Sequence, residues 1–440
     1  MKKIQQMILA ALLLLLLSGC AVQPLEELYS PPRRSEEYNN LQSAMDSAMS
    51  DRQYCAPLSG EHQQTVQQAD LDGDGEDEYL LFTKRGSDKP LQILIFRKNG
   101  TGDYLHSQTV EGTGSAFDQV EYVQMDGKPG LELVVGRQVS DQVLRSVSVY
   151  SFASGDAEKL LSTSYSKYLT VDLDRDSKTE LMILRPGQAE TQNGIAELYG
   201  VENGIMERSA ELSMSGPVDR LKRVIIGKLN GGTPAVFVGT TVEENAIITD
   251  VYAVVGGVFT NVSFSNESGT SVKTLRNYYI YADDIDSDGE VELPSLINMV
   301  PVMQESTAVQ QYLIRWYALK PNGKEVDKMY TFHDFLAGWY LQLDAAWANR
   351  ISVEHSANAY AFYLWDEART QATKIFTVFA FTGQSREEQA VSENRFVLYR
   401  GESTVYAAYM EVASGSVHIS QEDLINSFQL IHYDWKTGET

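Results

Sequence analysis

Apolar residues in this chain gather into short runs separated by turn residues, and the runs come in fours. Residues 168–171, 180–184, 194–199 and 206–212 predict four strands. Residues 65–69, 78–83, 91–97 and 104–110 predict the same four in the same order. Runs of this length, bounded by Gly, Asp and Asn and lacking a 3.6-residue spacing, read as β structure rather than helix. Past His333 the pattern changes. Strands are expected at 338–343, 350–354, 359–365, 374–382, 396–399 and 405–412, followed by a helix over 419–430 with Ser420 as its cap. Trp339, Trp347, Trp365 and Trp435 also fall here, and aromatic side chains in strands mostly face inward, so they are expected to fill a core. Strands followed by a helix predict a small α+β domain over 333–440.

An acidic loop lies between the first and second strand of each foursome. The first reads Asp70-Leu71-Asp72-Gly73-Asp74-Gly75-Glu76-Asp77-Glu78. It recurs as Asp172-Leu173-Asp174-Arg175-Asp176-Ser177-Lys178-Thr179-Glu180 and as Asp284-Ile285-Asp286-Ser287-Asp288-Gly289-Glu290-Val291-Glu292. Two eroded copies begin at Gln124 and Lys228. The five copies thus start at 70, 124, 172, 228 and 284, in steps of 54, 48, 56 and 56 residues. A period near 54 with four strands per unit is how a propeller blade reads.

These loops, each followed by an apolar strand, resemble the FG-GAP/VCBS repeats of integrin-type β-propellers over residues 61–332. The resemblance implies a mainly β chain: a β-propeller of about five four-stranded blades, followed by the small α+β domain. A sixth blade completed by the tether or the tail is the alternative.

The loop spacing suits calcium, which takes six to eight oxygen ligands in a tolerant geometry. Acids at positions one, three and five can converge, a carbonyl at seven and an acid at nine can close the shell. The expected ligands are Asp70, Asp72, Asp74, the Glu76 carbonyl and Glu78 in the first loop. In the third they are Asp172, Asp174, Asp176, the Lys178 carbonyl and Glu180; in the fifth, Asp284, Asp286, Asp288, the Glu290 carbonyl and Glu292. An EF-hand would place its last acid at position twelve, before a helix, and is excluded. Up to three structural calcium ions are therefore expected. The eroded loops, with Lys128 at position five of one and Lys228, Asn230 and Gly232 in the other, are expected to bind none.

The start of the chain adds an address. Met1-Lys2-Lys3, an unbroken apolar run from Ile8 to Leu17, and Leu17-Ser18-Gly19-Cys20 resemble a bacterial lipoprotein signal, which implies lipidation at Cys20. Ten apolar residues rise about 15 Å as a helix, too short to span a bilayer. Residues 1–19 are then a signal peptide and 20–60 a lipid-anchored tether with a short helix expected over 35–49, which places the protein at the extracytoplasmic face of a cell membrane. Cys55 is left without a disulfide partner.

Composition narrows the function without naming it. With 36 Lys+Arg against 60 Asp+Glu, the net charge of −24 opposes nucleic-acid phosphates. The six histidines show no zinc spacing, and neither a Gly-x-Ser-x-Gly elbow nor a phosphate-cradling loop is present, so no catalytic residue is assigned. The expectation is a non-catalytic surface lipoprotein whose calcium-braced propeller binds an extracellular or envelope protein or glycan. The alternatives are an envelope-associated hydrolase acting on polysaccharide, or a structural scaffold of an envelope complex.

Overall fold

The computed structural model describes residues 36–139, 145–187, 193–243, 246–302, 310–411 and 419–431. Cys20, the expected signal peptide, the first part of the expected tether and Trp435 lie outside these residues. The described strands form six antiparallel sheets of four or five strands, so the chain is mainly β. Among the described residues no helix is long and apolar enough to cross a membrane.

The chain divides into two compact units. The first holds residues up to Ala56, Gln64–Ala69 and Asp77–Gly112; the second holds Pro57–Gln63, Asp70–Glu76 and everything from Thr113 onward.

In the first unit, helix α1 (Glu36–Ala48) precedes β1 (Gln53–Tyr54), β2 (Val66–Ala69), β3 (Glu78–Lys84), β4 (Leu91–Lys98) and β5 (Tyr104–Gly112). The sheet runs β1-β3-β4-β5, with β2 also paired to β3. Leu41 and Met45 of α1 pack on Leu81, Leu94 and Phe96. Residues 36–54, expected within a tether, therefore supply a helix and a strand to this unit.

The second unit repeats a four-stranded meander. The second sheet contains β6 (Ala116–Val123), β7 (Glu132–Gln138), β8 (Arg145–Ser151) and β9 (Glu158–Tyr165). The third contains β10 (Lys167–Val171), β11 (Glu180–Pro186), β12 (Gly194–Glu202) and β13 (Ile205–Ser213). The fourth contains β14 (Leu221–Lys228), β15 (Pro234–Glu243), β16 (Ala246–Val255) and β17 (Val258–Asn261). The fifth contains β18 (Glu292–Asn298), β19 (Tyr312–Leu319), β20 (Glu325–Asp334) and β21 (Trp339–Leu343). Before β18 the strand expected ahead of the loop is reduced to one bridge, Asp283 to Glu292.

Consecutive sheets of the second unit pack face to face, which explains the apolar runs without alternation in strands such as β11 and β15. On β11, Leu181 and Ile183 meet Val134, Val147 and Val149 of the second sheet, while Met182 and Leu184 meet Val224, Val236 and Val238 of the fourth. On the other face of the fourth sheet, Phe237 and Val251 meet Leu293, Tyr317 and Leu319 of the fifth. Each such side chain, once fully buried, contributes roughly 1.5–3 kcal/mol.

The sixth sheet lies in the region where the pattern changes. It holds β22 (Ile351–Ser356), β23 (Ala359–Trp365), β24 (Ala372–Thr382), β25 (Phe396–Arg400) and β26 (Thr404–Met410), with β26 between β24 and β25. Phe362, Phe376 and Val378 pack against Phe332, Trp339 and Leu341 of the fifth sheet. A short helix absent from the sequence reading, α2 (Arg386–Val391), buries Ala390 against Phe381, Val405 and Ala407. The expected helix over 419–430 is shorter: α3 (Gln421–Ser427) starts in a capping box between Ser420 and Asp423 and ends at Ser427. Residues 428–430 instead form β27 (Phe428–Leu430) on the edge of β21, where Phe428 stacks on Trp339 at 5.6 Å. An open strand edge and an aromatic partner outweigh one more turn of helix.

One irregularity recurs. Between β8 and β9, between β12 and β13, and between β19 and β20 the register slips by one residue, leaving Leu160, Ser209 and Lys328 as the extra residues. The first sheet has the same slip, at Ser107. Such bulges turn a side chain away from the ladder.

Candidate metal centres

The third loop, between β10 and β11, is wound around its own carboxylates. Asp172 accepts from the N–H of Arg175 through Oδ1 (2.7 Å) and from that of Ser177 through Oδ2 (3.1 Å). Asp174 accepts from the Asp176 N–H (3.0 Å), and Asp176 from the Lys178 N–H (2.8 Å). Glu180, at the start of β11, reaches back to the Leu173 N–H at 2.8 Å. These bonds bend the loop so that one oxygen from each of Asp172, Asp174, Asp176 and Glu180 lies within 4.8 Å of the others. Burial, reinforced by the negative charges of Asp174, Asp172 and Asp176, pushes the Glu180 carboxyl up to about 7. The half-exposed Lys178 ammonium stands 3.5 Å from Asp176. Beside the cluster is a cavity of about 430 Å³, lined by Asp174, Asp176 and Glu180 together with Leu198, Ser209 and Phe259.

The fifth loop repeats the winding. Asp284 accepts from the N–H groups of Asp288 (3.0 Å) and Gly289 (2.9 Å), Asp288 from that of Glu290 (2.8 Å), and Glu292 from that of Ile285 (3.2 Å). Oxygens of Asp284, Asp286 and Glu292 again come within 4.8 Å of one another. Glu292 is 0% exposed, and burial, with Asp286 next in effect, pushes its carboxyl up to about 8. Here the surroundings differ. The Lys328 ammonium, from the bulge of β20, lies on Asp288, 2.8 Å from Glu290 and 3.9 Å from Glu292. It holds the Asp288 carboxyl below the usual carboxylate range. Glu290, expected to offer only its carbonyl, uses its side chain to accept from Asn230 (2.8 Å) and the Gly231 N–H (2.7 Å) of the fourth loop.

In the first loop, Asp70 accepts from the Gly73 (2.7 Å) and Gly75 (3.0 Å) N–H groups and Asp74 from that of Glu76 (2.8 Å), all within the second unit. Glu78 opens β3 in the first unit, buried and 3.5 Å from Arg97.

The second loop shows how the winding survives without the acids. Gln124 accepts from the Gly127 N–H (2.6 Å), as Asp172 does from Arg175, and its amide donates to the carbonyls of Lys128 and Gly130. Lys128 pairs with Asp126 at 2.8 Å. The loop keeps one acid that the sequence reading passed over. Glu132, at position nine, accepts from the Met125 N–H at 2.8 Å, and its spacing from Gln124 would have revealed it.

Adjacent loops are also tied by a repeated backbone bond absent from the sequence reading. The N–H at position eight of one loop donates to the carbonyl at position one of the loop before it: Leu131 to Asp70 (3.1 Å), Thr179 to Gln124 (2.7 Å) and Val291 to Lys228 (2.9 Å). The contact is close enough to constrain sequence. A Cβ at Gly73, already at φ +77°, would fall 2.4 Å from the Gly130 nitrogen.

What these loops offer is carboxylate and carbonyl oxygen, a donor set for a hard cation. No protein-family model matches the chain, and no curated protein matches it. Among solved structures it is similar to an exotype rhamnogalacturonan lyase, YesX, at 12% identity and a TM-score of 0.29, covering 81% of this chain and 72% of that one. It is similar to the rhamnogalacturonan lyase YesW at 10% identity and a TM-score of 0.28, covering 74% and 64%. It is similar to the β-propeller domain of the Trilobed protease from Pyrococcus furiosus at 13% identity and a TM-score of 0.28, covering 72% and 89%. Likenesses at this level carry no argument about fold or activity.

Proposed function

We propose that this chain is a lipid-anchored protein of the extracytoplasmic face, held through Cys20, whose calcium-braced β-propeller binds an extracellular or envelope partner without catalysis. The first five sheets, each with a loop of the repeat at the same place, are read as its blades, and the sixth sheet with α2 and α3 as the C-terminal domain. The reading rests chiefly on the third loop, where four carboxylates converge within 4.8 Å beside an open cavity. Such crowding is costly unless a cation neutralises it, and an all-oxygen shell with tolerant geometry favours calcium over zinc.

The test is thermal unfolding in excess EDTA and across a calcium titration. An ion that binds only the native state stabilises it by about 2.7 kcal/mol at a hundredfold excess over Kd. A rise in Tm that disappears in Asp172→Ala supports the reading, and a folded, metal-free sample that does not respond to calcium removes it. The partner is sought by retaining envelope extract on the immobilised protein in calcium and eluting with EDTA. Turnover of a polysaccharide by the same sample would replace binding with the hydrolase alternative.

A further inference from the structure

The third and fifth loops can be superposed residue by residue through their ladders. Leu181, next to Glu180, pairs with Tyr199; Leu293, next to Glu292, pairs with Tyr317. Tyr199 then pairs with Arg208 and Leu198 with Ala210, skipping Ser209. Tyr317 pairs with Asp327 and Trp316 with Met329, skipping Lys328. Ser209 and Lys328 are therefore the same position of the repeat, each on a bulge and each beside the acids of its own loop. Ser209 is exposed, lines the cavity shared with Asp174, Asp176 and Glu180, and donates to the Leu198 carbonyl at 3.1 Å. Lys328 extends over the acids instead, in contact with Asp288, Glu290 and Glu292.

A second observation makes the fifth cluster more than a patch of acids. Glu292 is completely buried, and among the described residues its Oε1 has no hydrogen-bond donor; the ammonium at 3.9 Å is an ion pair beyond hydrogen-bonding reach. Glu292 brings one carboxylate oxygen to within 4.8 Å of ligand-type atoms of Asp284 and Asp286, where a small cation would satisfy the carboxylate.

From this we infer that the bulge residue decides whether an acidic loop takes an external divalent cation: Lys328 closes the fifth loop with its own ammonium, and Ser209 leaves the third loop open to an ion. The second loop reaches the same end from within, since Lys128 pairs with Asp126 in the loop itself while its bulge residue is the apolar Leu160. Lys178 of the third loop is no equivalent. Its ammonium stands 3.5 Å from Asp176, whereas that of Lys128 lies 2.8 Å from Asp126. The inference rests on the cation reading of the third loop.

The experiment counts calcium ions per chain, by calorimetric titration of the EDTA-stripped full-length protein, in the wild type and four variants. Ser209→Lys is expected to remove one site or weaken it at least about tenfold, the equivalent of about 1.4 kcal/mol. Ser209→Gln, of similar length without the charge, is expected to keep it, which separates charge from bulk. Lys328→Ser and Lys328→Met are expected to gain one site. Should the Lys328 variants need calcium to fold, that requirement is itself the gain, and Ser209→Lys still gives an independent count. Wild-type binding that is unchanged in both Ser209→Lys and the Lys328 variants overturns this inference alone. No calcium bound by the wild type or any folded variant removes the cation reading and this inference with it.

Discussion

The third and fifth loops share the acid pattern Asp-x-Asp-x-Asp-x-x-x-Glu and the same backbone winding, yet they present different surfaces. One opens on a cavity; the other is covered by an ammonium forty residues away from Asp288 in sequence. A loop pattern therefore specifies where carboxylates converge but not what neutralises them. That depends on one residue two strands further along, placed by a slip in register.

Substitutions in the acids test the comparison most directly. Asp174→Asn in the third loop is expected to abolish the calcium-dependent stabilisation due to that loop, about 2.7 kcal/mol at a hundredfold excess of ion over Kd, read as a reduced rise in Tm. Asp286→Asn, the same position in the fifth loop, is expected to leave the calcium response of the wild type nearly unchanged. Equal losses at the two positions would mean that Lys328 yields readily to the ion.

Removing the ammonium has a smaller effect of opposite kind. In EDTA, Lys328→Met leaves Asp288, Glu290 and the buried Glu292 without their counter-charge, and a loss of about 2 kcal/mol is expected in denaturant unfolding. Ser209→Met places the same new side chain at the equivalent position of the third sheet, where the native serine carries no charge, and is expected to cost less than about 0.5 kcal/mol.

The two buried glutamates extend the comparison to pH. A carboxyl raised above its ordinary value of 4.5 adds stability that is fully present below that pH and is lost as the pH rises through the folded value. For Glu180 that loss runs up through about 7, and for Glu292 through about 8. The metal-free protein is therefore expected to lose Tm between pH 5 and 8. Glu180→Gln should remove the lower part of the slope and Glu292→Gln the upper. Saturating calcium should flatten the part due to Glu180, because the ion favours the ionised form. A Tm that climbs across this window in EDTA would contradict the assignment.

Why some of this was legible from sequence and some was not follows from the same residues. The four-strand period could be read because strands such as β11 are buried on both faces, which leaves runs like Leu181-Met182-Ile183-Leu184 between polar turns. The acids of the loops could be read because their spacing is local, and Glu132 could have been. Lys328 could not, since nothing near it in sequence marks the bulge that turns it toward Asp288. Nor could β27: Phe428-Gln429-Leu430 fits a helical pattern, and its fate is decided by the free edge of β21 and the face of Trp339. Local chemistry was recoverable, while contacts set by register and by edge pairing were not.

The smallest contrast between the two loops lies at position six. The third loop places Ser177 at φ 69°, whereas the fifth places Gly289 at φ 84°. An L-residue there carries a left-handed backbone cost of about 1–2 kcal/mol, partly offset because glycine loses more freedom on folding, by roughly 0.5–1 kcal/mol. Ser177→Gly is therefore expected to stabilise the metal-free protein by about 0.5 kcal/mol. The N–H of residue 177 is retained and still donates to Asp172, so the loop keeps its winding. Relief of strain that exists before the ion arrives raises the metal-free and metal-bound states together, so the calcium-induced shift in Tm should stay the same. A larger calcium shift in Ser177→Gly would instead mean that the serine holds the loop short of its binding geometry, and that the two loops differ in backbone as well as in the residue on their bulge.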